Sequence, residues 1–391
     1  LDIFNFDSCC RRYGGFGVVS RLDWATSPNL NVFWCVGSLL MGVLVLQLIS
    51  GVFCAMFYIN WVKSVLLGIG VDGGEPGPLL DGFVWDLLRF IHLWGASLLF
   101  LLLLIHIARG LYYCSYSKSG LLWTSGVILY LVILVEAFLG YLLPWHQMSY
   151  WAGVVISTIF SSLPYIGGVF FKFLVGSYNF GDLVISRVFC VHVLFGVFII
   201  GLVLFHVVIL HKVGSNNSFN SLDCYGDFVF FHKGYLYKDL SLFFFVVFLF
   251  LIISMSAPWL TSLKENFISP NALLTPVNIK PEWYFLPYYA ALRCFENKLL
   301  GLLAVVLILF LVWVPTPSWV GCYEGVYRQI SFWVLVFSYI FLGVMGSCEP
   351  SSICLFFCSI SYNVLVCSLV FLKLWDYLYL LFLWVGDKSC F

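Results

Sequence analysis

Long apolar runs, separated by short polar stretches, dominate this chain from end to end. A helix of about 20 apolar residues crosses the hydrocarbon core of a bilayer, and a helix satisfies its own backbone hydrogen bonds there. Eight runs approach or exceed that length: residues 31–57, 83–112, 121–143, 183–210, 241–257, 299–314, 329–346 and 353–384. The pattern predicts an all-α fold, namely a polytopic membrane protein with eight transmembrane helices.

The composition supports this interpretation. Of the 391 residues, 62% are hydrophobic and only 10% are charged, whereas charged residues make up about 25% of a typical globular chain. The 19 basic and 19 acidic residues balance, so no basic surface argues for binding nucleic acid. Most of the 14 cysteines stand singly inside apolar runs, which is typical of free thiols that pack as small hydrophobic groups.

The runs divide the chain into three parts. Residues 1–29 mix arginine with aromatic side chains and are predicted to lie along one membrane surface. Residues 30–215 hold the first four runs and are predicted to form a four-helix bundle, and residues 216–391 hold the last four. The connections 144–182 and 258–298 are too long for simple turns, and loops of this length often build functional sites.

Two of the apolar runs carry histidines at the same interval. His92 and His106 lie 14 residues apart in the second run, and His192 and His206 lie 14 apart in the fourth. Fourteen helical residues advance about 21 Å and return to within about 40° of the starting face. If the two helices run in the same direction, the histidines form two facing pairs at two depths. Ionisable side chains inside a membrane are costly and usually functional.

Facing imidazoles indicate metal chemistry of a particular kind. A neutral imidazole nitrogen is a common axial ligand of haem iron. Two facing pairs therefore predict two six-coordinate haems stacked across the bilayer, with electron transfer as their chemistry. The alternatives are histidines that merely hydrogen-bond between helices, or a proton relay in a transporter.

Glycine and arginine positions follow the same interval. Glycine lets a helix backbone approach a large planar group, and the first and third runs each carry a pair 14 residues apart: Gly37 and Gly51, Gly126 and Gly140. Arg89 and Arg109 each lie three residues from a histidine. They are predicted to bind haem propionates through charge-assisted hydrogen bonds, unless they are ordinary interfacial arginines.

Several segments together resemble the cytochrome b family, the central membrane subunit of respiratory complex III. The resemblance rests on "RFIHLWGASLL", "HIARGLYYCSY", "GVILYLVILVEAFLGYLLPW", "SSLPYIGG", "VILHKVGSNNS", "ENFISPNALLTP" and "KPEWYFLPYYAALRCFENKLLG". It implies that two haem b groups are bound without covalent attachment. It also implies that His92 and His192 ligate the low-potential haem, and His106 and His206 the high-potential haem.

The resemblance further implies two quinone sites on opposite membrane faces. At the quinol-oxidising site, Glu282 of the "PEWY" segment takes a proton, and Tyr284 and Tyr289 shape the pocket. The quinone-reducing site uses four residues: His211, Ser215, Lys238 and Asp239. On chemistry alone, Glu282 is a proton acceptor or a solvated loop carboxylate, and Asp239 is a proton source or a helix-start residue.

The function implied is that of ubiquinol–cytochrome c reductase working by the Q cycle. The expected partners are a Rieske-type iron–sulfur protein, a c-type cytochrome and further complex III subunits, in a homodimeric complex surrounded by membrane lipid. The expected location is the mitochondrial inner membrane, or alternatively a bacterial plasma membrane. Two other functions stay open: a haem-bearing membrane anchor of another quinone-linked dehydrogenase, and a non-redox proton transporter.

The chain departs from the family pattern at four positions. His146 and Ala152 stand where glycine is usual, and both map to the quinol-oxidising pocket. Ser218 replaces an expected proline, and Glu136 places a carboxylate in the middle of the third run, where it is either protonated or paired. Cys35 matches a cysteine that holds an extra haem in photosynthetic relatives. The equal histidine intervals and the four further runs argue against that role here.

Overall fold

The structure, a computed structural model, describes residues 25–58, 82–176, 180–216, 229–256, 264–314 and 325–387. Most of the predicted surface segment and Ser218 lie outside the described residues. In chain order the helices are α1 (Val36–Phe57), α2 (Gly82–Tyr112), α3 (Gly120–Leu142), α4 (Gln147–Ser161), α5 (Gly167–Val175), α6 (Asp182–Val213), α7 (Phe231–Gly234), α8 (Leu236–Ser256), α9 (Leu286–Arg293), α10 (Lys298–Trp313), α11 (Val326–Ser347) and α12 (Ser352–Asp387). The fold is all-α, as predicted.

Among the described residues, seven helices are long and apolar enough to cross a membrane: α1, α2, α3, α6, α8, α11 and α12. The remaining predicted span, 299–314, corresponds to α10, an apolar helix of 16 residues. At about 1.5 Å per residue it is about 24 Å long, which is slightly less than the hydrocarbon core. The predicted runs and the observed helices therefore agree, with α10 as the short member.

The N-terminal helices pack in two close pairs, α1 with α2 and α3 with α6. Their shared core is aliphatic and aromatic, with Val43, Phe100, Ile133 and Ile199 among its most buried side chains. Many apolar side chains on the outer faces stay exposed, such as Val197 on α6. Exposed apolar faces of this kind suit helices whose solvent is lipid.

The connection 144–182 forms two short helices, α4 and α5, as its length predicts. His146 caps α4, because its Nδ1 accepts the backbone N–H of Ser149 at 3.0 Å while the Ser149 hydroxyl accepts the backbone N–H of His146 at 3.1 Å. This reciprocal pair satisfies two amide groups that a helix start otherwise leaves without partners. The cap fixes the direction in which α4 leaves the end of α3.

A buried arginine fastens the C-terminal helices to the end of α2. Arg328, in the first turn of α11, donates to the carbonyl oxygens of Tyr112 at 2.8 Å and Leu111 at 2.7 Å, and to the hydroxyl of Tyr116 at 3.1 Å. The last carbonyls of a helix lack internal partners and carry partial negative charge. The guanidinium group therefore satisfies the end of α2 while it positions α11.

A two-residue antiparallel ladder ties the segment before α1 to the segment before α8. Strand β1 (Ala25–Thr26) pairs with β2 (Val229–Phe230), with Ala25 opposite Phe230 and Thr26 opposite Val229. Nearby, the hydroxyl of Tyr235 donates to the carbonyl oxygen of Ser27 at 2.5 Å. These contacts bring the starts of α1 and α8 to the same end of the bundle.

Candidate functional site

The structure brings the four intramembrane histidines together in pairs between α2 and α6. The ring centroids of His92 and His192 are 6.3 Å apart, with the ring planes at 87°. His106 and His206 lie 14 residues further along the same two helices and are close enough to interact electrostatically. The two pairs therefore occupy two depths of one helix bundle.

Each histidine is seated against a glycine of the neighbouring helix. A Cβ atom added to the glycine would meet imidazole Cε1 at 3.3 Å for Gly37 and His106, 3.0 Å for Gly51 and His92, 3.3 Å for Gly126 and His206, and 2.8 Å for Gly140 and His192. These distances are at or below the lower limit of ordinary carbon contacts. The imidazole edge thus lies against the glycine backbone, and a role for these glycines in accommodating a macrocycle stays a prediction.

Serine hydroxyls contact the Nδ1 atoms of two of these rings. Ser50 Oγ lies 2.9 Å from His92 Nδ1 and donates its own proton to the carbonyl oxygen of Leu46 at 2.8 Å. Ser125 Oγ lies 2.8 Å from His206 Nδ1 and donates to its own helix in the same way. A hydroxyl has one proton, so a serine that donates to its own helix accepts from Nδ1–H. The Nε2 lone pair of both histidines is therefore left for a ligand.

The other two histidines differ from these and from each other. His192 Nδ1 lies 3.2 Å from the carbonyl oxygen of Glu136 and 3.0 Å from its carboxylate oxygen Oε1. A carbonyl oxygen only accepts, so this ring also carries its proton on Nδ1. The Nδ1 of His106 is buried and has no hydrogen-bond partner among the described residues. Glu136, an unexplained carboxylate in the sequence, is thus paired with a histidine.

The spacing of the histidines suits an iron between two imidazoles. An imidazole nitrogen binds a metal at about 2 Å, and that nitrogen lies about 1 Å from the centre of its ring. Two imidazoles on opposite sides of one iron therefore have ring centroids about 6 Å apart. The observed 6.3 Å agrees with that value. The described residues hold no group of three or more His, Cys, Asp or Glu side chains placed to bind a metal ion. A haem, which supplies four equatorial nitrogens of its own, needs only the two histidines.

The two arginines lie near the ends of this arrangement. The guanidinium carbon of Arg109 lies 5.3 Å from the centre of the Trp34 ring, and its Nε is buried without a hydrogen-bond partner among the described residues. The guanidinium carbon of Arg89 lies 5.5 Å from the ring centre of Phe90. A buried guanidinium with an unused N–H suits an anionic group such as a propionate.

Glu282 and its neighbours form a second candidate site, outside the membrane-spanning helices. Glu282 precedes the 3₁₀ turn Trp283–Phe285, and burial raises the pKa of its carboxyl group to about 7. The Tyr284 ring stacks on Phe100 with centroids 3.9 Å apart, which fixes the turn against the helix bundle. Tyr289 lies on the following helix, beside the guanidinium of Arg293 at 5.3 Å.

Two departures from the family pattern lie close to this segment. Ala152 packs with Tyr141 and Met148 in a buried cluster, against which Ile279 also packs. His146 is buried, and burial together with the nearby Arg89 charge lowers its pKa to about 3. Neutral His146 therefore acts as the cap of α4 and as an aromatic neighbour of Tyr141, with ring centroids 5.4 Å apart.

Gln147 is a positioning residue that sequence reasoning missed. Its backbone N–H donates to the carbonyl oxygen of Ile268 at 2.9 Å, its Nε2 donates to that of Leu274 at 2.6 Å, and its Oε1 accepts the N–H of Asn271 at 2.6 Å. These bonds tie the loop before "PEWY" to α4. The signal available in the sequence was a glutamine near the start of the long connection 144–182.

The residues assigned to the quinone-reducing site lie at the other end of the bundle. Asp239 lies in the first turn of α8, and together with burial it raises the pKa of the Cys35 thiol at the start of α1. The carbonyl oxygen of Ser215 accepts from Lys118 Nζ at 2.7 Å. Lys238 Nζ lies 5.1 Å from the ring centre of Tyr235, and His211 is in the last turn of α6. The ends of α6 and α2 and the starts of α1 and α8 thus meet here.

Comparison with known proteins identifies the family. The family described as cytochrome b/b6/petB matches residues 21–214, and cytochrome b(C-terminal)/b6/petD matches residues 269–366. A cytochrome b of Rickettsia prowazekii is 38% identical over 354 residues, covering 86% of each chain. A cytochrome b of Albinaria caerulea is 37% identical over 335 residues, covering 84% of this chain and 89% of the relative.

A solved structure supports the fold independently. A chain described as hyperthermophilic respiratory Complex III superposes with a TM-score of 0.82 at 24% identity, over 92% of this chain and 95% of that one. Facing histidine pairs inside a bundle of membrane-spanning helices define the class of haem-binding membrane electron carriers. Within that class, the chain belongs to the cytochrome b family. Its function is the electron-transfer role of the cytochrome b subunit of quinol–cytochrome c reductase, so a non-redox transporter is set aside.

Proposed function

We propose that this chain binds two haem b groups, one between His92 and His192 and the other between His106 and His206. The observation that carries this proposal is the 6.3 Å spacing of the first pair, with perpendicular rings. The bound groups supply one-electron transfer between the two membrane faces. A haem held by two histidines would have no position open to oxygen or substrate, so the chemistry it would supply is electron transfer.

The chain's contribution is to hold each imidazole in one orientation. The four glycines that contact the imidazoles (Gly37, Gly51, Gly126 and Gly140) hold the edges of the rings. In three of the four rings, a hydrogen-bond acceptor at Nδ1 favours the tautomer whose Nε2 is free to bind a metal. Partners of this kind raise ligand basicity and hold ligand geometry. Arg89 and Arg109 neutralise the propionates, and the buried Nε of Arg109 gains the partner it lacks.

Quinol oxidation takes place at the "PEWY" segment, with Glu282 as proton acceptor. A base works best when its pKa lies near the working pH, and burial brings the pKa of Glu282 to about 7. Tyr284 holds the turn by stacking on Phe100, and Tyr289 shapes the pocket beside it. The two electrons of quinol part here, one to a Rieske-type iron–sulfur protein and one into this chain.

Quinone reduction takes place at the opposite end, where protons must be supplied. His211, Asp239 and Lys238 are titratable groups at that end of the bundle, and Ser215 contributes a backbone or hydroxyl contact. Asp239 is close enough to Cys35, at the start of α1, to raise the pKa of that thiol together with burial. Proton release at one face and uptake at the other conserve the energy of the reaction, as in the Q cycle.

The wider assignment follows from the same family. We propose that this chain is the catalytic membrane subunit of a homodimeric complex III, with an iron–sulfur protein, a c-type cytochrome and further subunits as partners and ubiquinone as substrate. Its location is the mitochondrial inner membrane or a bacterial plasma membrane. We retain the three-part division at residues 29 and 215 as a proposal, with the haem bundle in 30–215 and the "PEWY" loop in 216–391.

Pairwise loss of haem tests the proposal. Alanine substitution of His92 or His192 is expected to remove the same haem from the assembled complex, and substitution of His106 or His206 the other. The measurement is haem content per chain with the reduced-minus-oxidised visible spectrum. Retention of both haems in His192→Ala, with an unchanged spectrum, would show that this pairing is wrong. His232→Ala, on a histidine of α7 outside the pairs, is the matched control.

A further inference from the structure

Glu136 is placed to act on only one of the two histidine pairs. Its Oε1 lies 3.0 Å from His192 Nδ1, and both side chains are largely buried. On α6, Gly196 lies one turn beyond His192 and leaves room for the carboxylate, since an added Cβ would lie 3.5 Å from Oε1. The second oxygen, Oε2, has no hydrogen-bond partner among the described residues. The carboxylate is therefore aimed at this imidazole.

The other three histidines have no such partner. The Nδ1 atoms of His92 and His206 are bonded to neutral serine hydroxyls, and that of His106 has no partner among the described residues. A single carboxyl group in contact with His192 thus distinguishes one face of the first pair from the rest of the site. The asymmetry comes from one side chain in the middle of α3.

The electrostatic consequence has a definite sign. A carboxylate that accepts the Nδ1 proton gives the imidazole partial imidazolate character and makes it a more basic ligand. Negative charge close to an iron in a medium of low dielectric constant stabilises the ferric state more than the ferrous state. Both effects lower the reduction potential of a haem bound by that histidine. A neutral serine hydroxyl contributes far less.

We propose that Glu136 is a positioning residue that lowers the reduction potential of the haem held between His92 and His192. The inference rests on the proposed haem ligation, and it assigns to one side chain a difference between the two haems. Glu136 acts through His192 and touches no quinone. Electrons entering from the "PEWY" site would consequently pass from the lower-potential haem to the higher-potential haem.

The test is an equilibrium redox titration of the assembled complex carrying Glu136→Gln, which is nearly isosteric and uncharged. We expect the lower haem potential to rise and the other to stay unchanged. Each tenfold change in the affinity of the site for ferric relative to ferrous haem corresponds to a shift of about 59 mV for one electron. One of the two low-spin ferric EPR signals should shift as well. Ser125→Ala is the matched control and should affect only the other haem.

Each outcome decides the matter. If Glu136→Gln retains both haems with both potentials unchanged, or shifts both equally, the inference is overturned while the haem ligation stands. If the wild-type complex lacks two haems, the proposed function itself fails. Should Glu136→Gln lose a haem, Glu136→Thr places a neutral hydroxyl in the same region, and a raised potential there supports the inference. Loss of that haem from both variants would make Glu136 a retention residue and overturn the tuning role.

Discussion

Replacing Gly140 by alanine tests how tightly His192 is seated. The added methyl carbon would lie 2.8 Å from His192 Cε1, whereas ordinary contacts begin at 3.4 Å. The imidazole ring or the helix must therefore move by about 3.4 − 2.8 = 0.6 Å. Overpacking of a buried site costs about 1–3 kcal/mol. Changes that disturb ligand orientation commonly cost about 10- to 100-fold in metal affinity. We therefore expect Gly140→Ala to lose much of one haem and keep the other.

The assay is haem content per chain, together with the redox difference spectrum of the purified complex. Gly201→Ala is the matched control, because a Cβ there meets nothing within 4 Å, and we expect full haem content. Gly126→Ala should give an intermediate result at the other pair, since its Cβ would lie 3.3 Å from His206 Cε1. If Gly140→Ala keeps two haems with the wild-type spectrum and potentials, the close contact between Gly140 and His192 does not position the imidazole for haem binding.

Three further outcomes are expected. Because burial raises the pKa of Glu282 to about 7, the quinol oxidation rate should rise with pH through that value as the carboxyl loses its proton. Glu282→Gln should flatten this profile and slow turnover by up to about 10²- to 10⁴-fold; an unchanged profile would contradict the assigned role. In the proposed quinol pocket, the methyl group of the buried Ala152 occupies space that glycine would leave open, so strobilurin-type inhibitors should bind the wild type weakly and Ala152→Gly more tightly; turnover abolished by sub-micromolar strobilurin in the wild type would show this to be wrong. Arg328→Leu should leave the carbonyl groups of Leu111 and Tyr112 without their partner, at about 1–3 kcal/mol each. The thermal inactivation temperature of the complex should fall accordingly, and an unchanged value would argue against this role.

Much of the fold follows from the apolar pattern. A bilayer requires each span to be long enough to cross it and to form its own backbone hydrogen bonds. The eight predicted runs correspond to observed helices, including the short α10, and the long connection 144–182 forms α4 and α5. What the pattern does not contain is which helices touch. The contact of Arg328 with the end of α2 joins residues more than 200 positions apart.

In the candidate site, too, the positions along each helix are predictable from the sequence, whereas the contacts between helices are not. The interval of 14 residues identifies the histidines and glycines as members of one stripe, since it depends only on helix geometry. The pairing of Glu136 with His192 depends on how α3 and α6 are rotated against each other, which a single sequence does not specify. For the same reason the sequence does not show that these glycines contact the imidazole edges.

The most direct test of the central claim is an experimental density map of the assembled complex at side-chain resolution. The account predicts two planar macrocycles in the N-terminal bundle. Each iron should lie about 2 Å, the usual imidazole–metal distance, from Nε2 of its two histidines: His92 and His192 for one, His106 and His206 for the other. A map with clear side chains in which either histidine pair holds no macrocycle, or in which an iron takes any other protein ligand, would contradict the account.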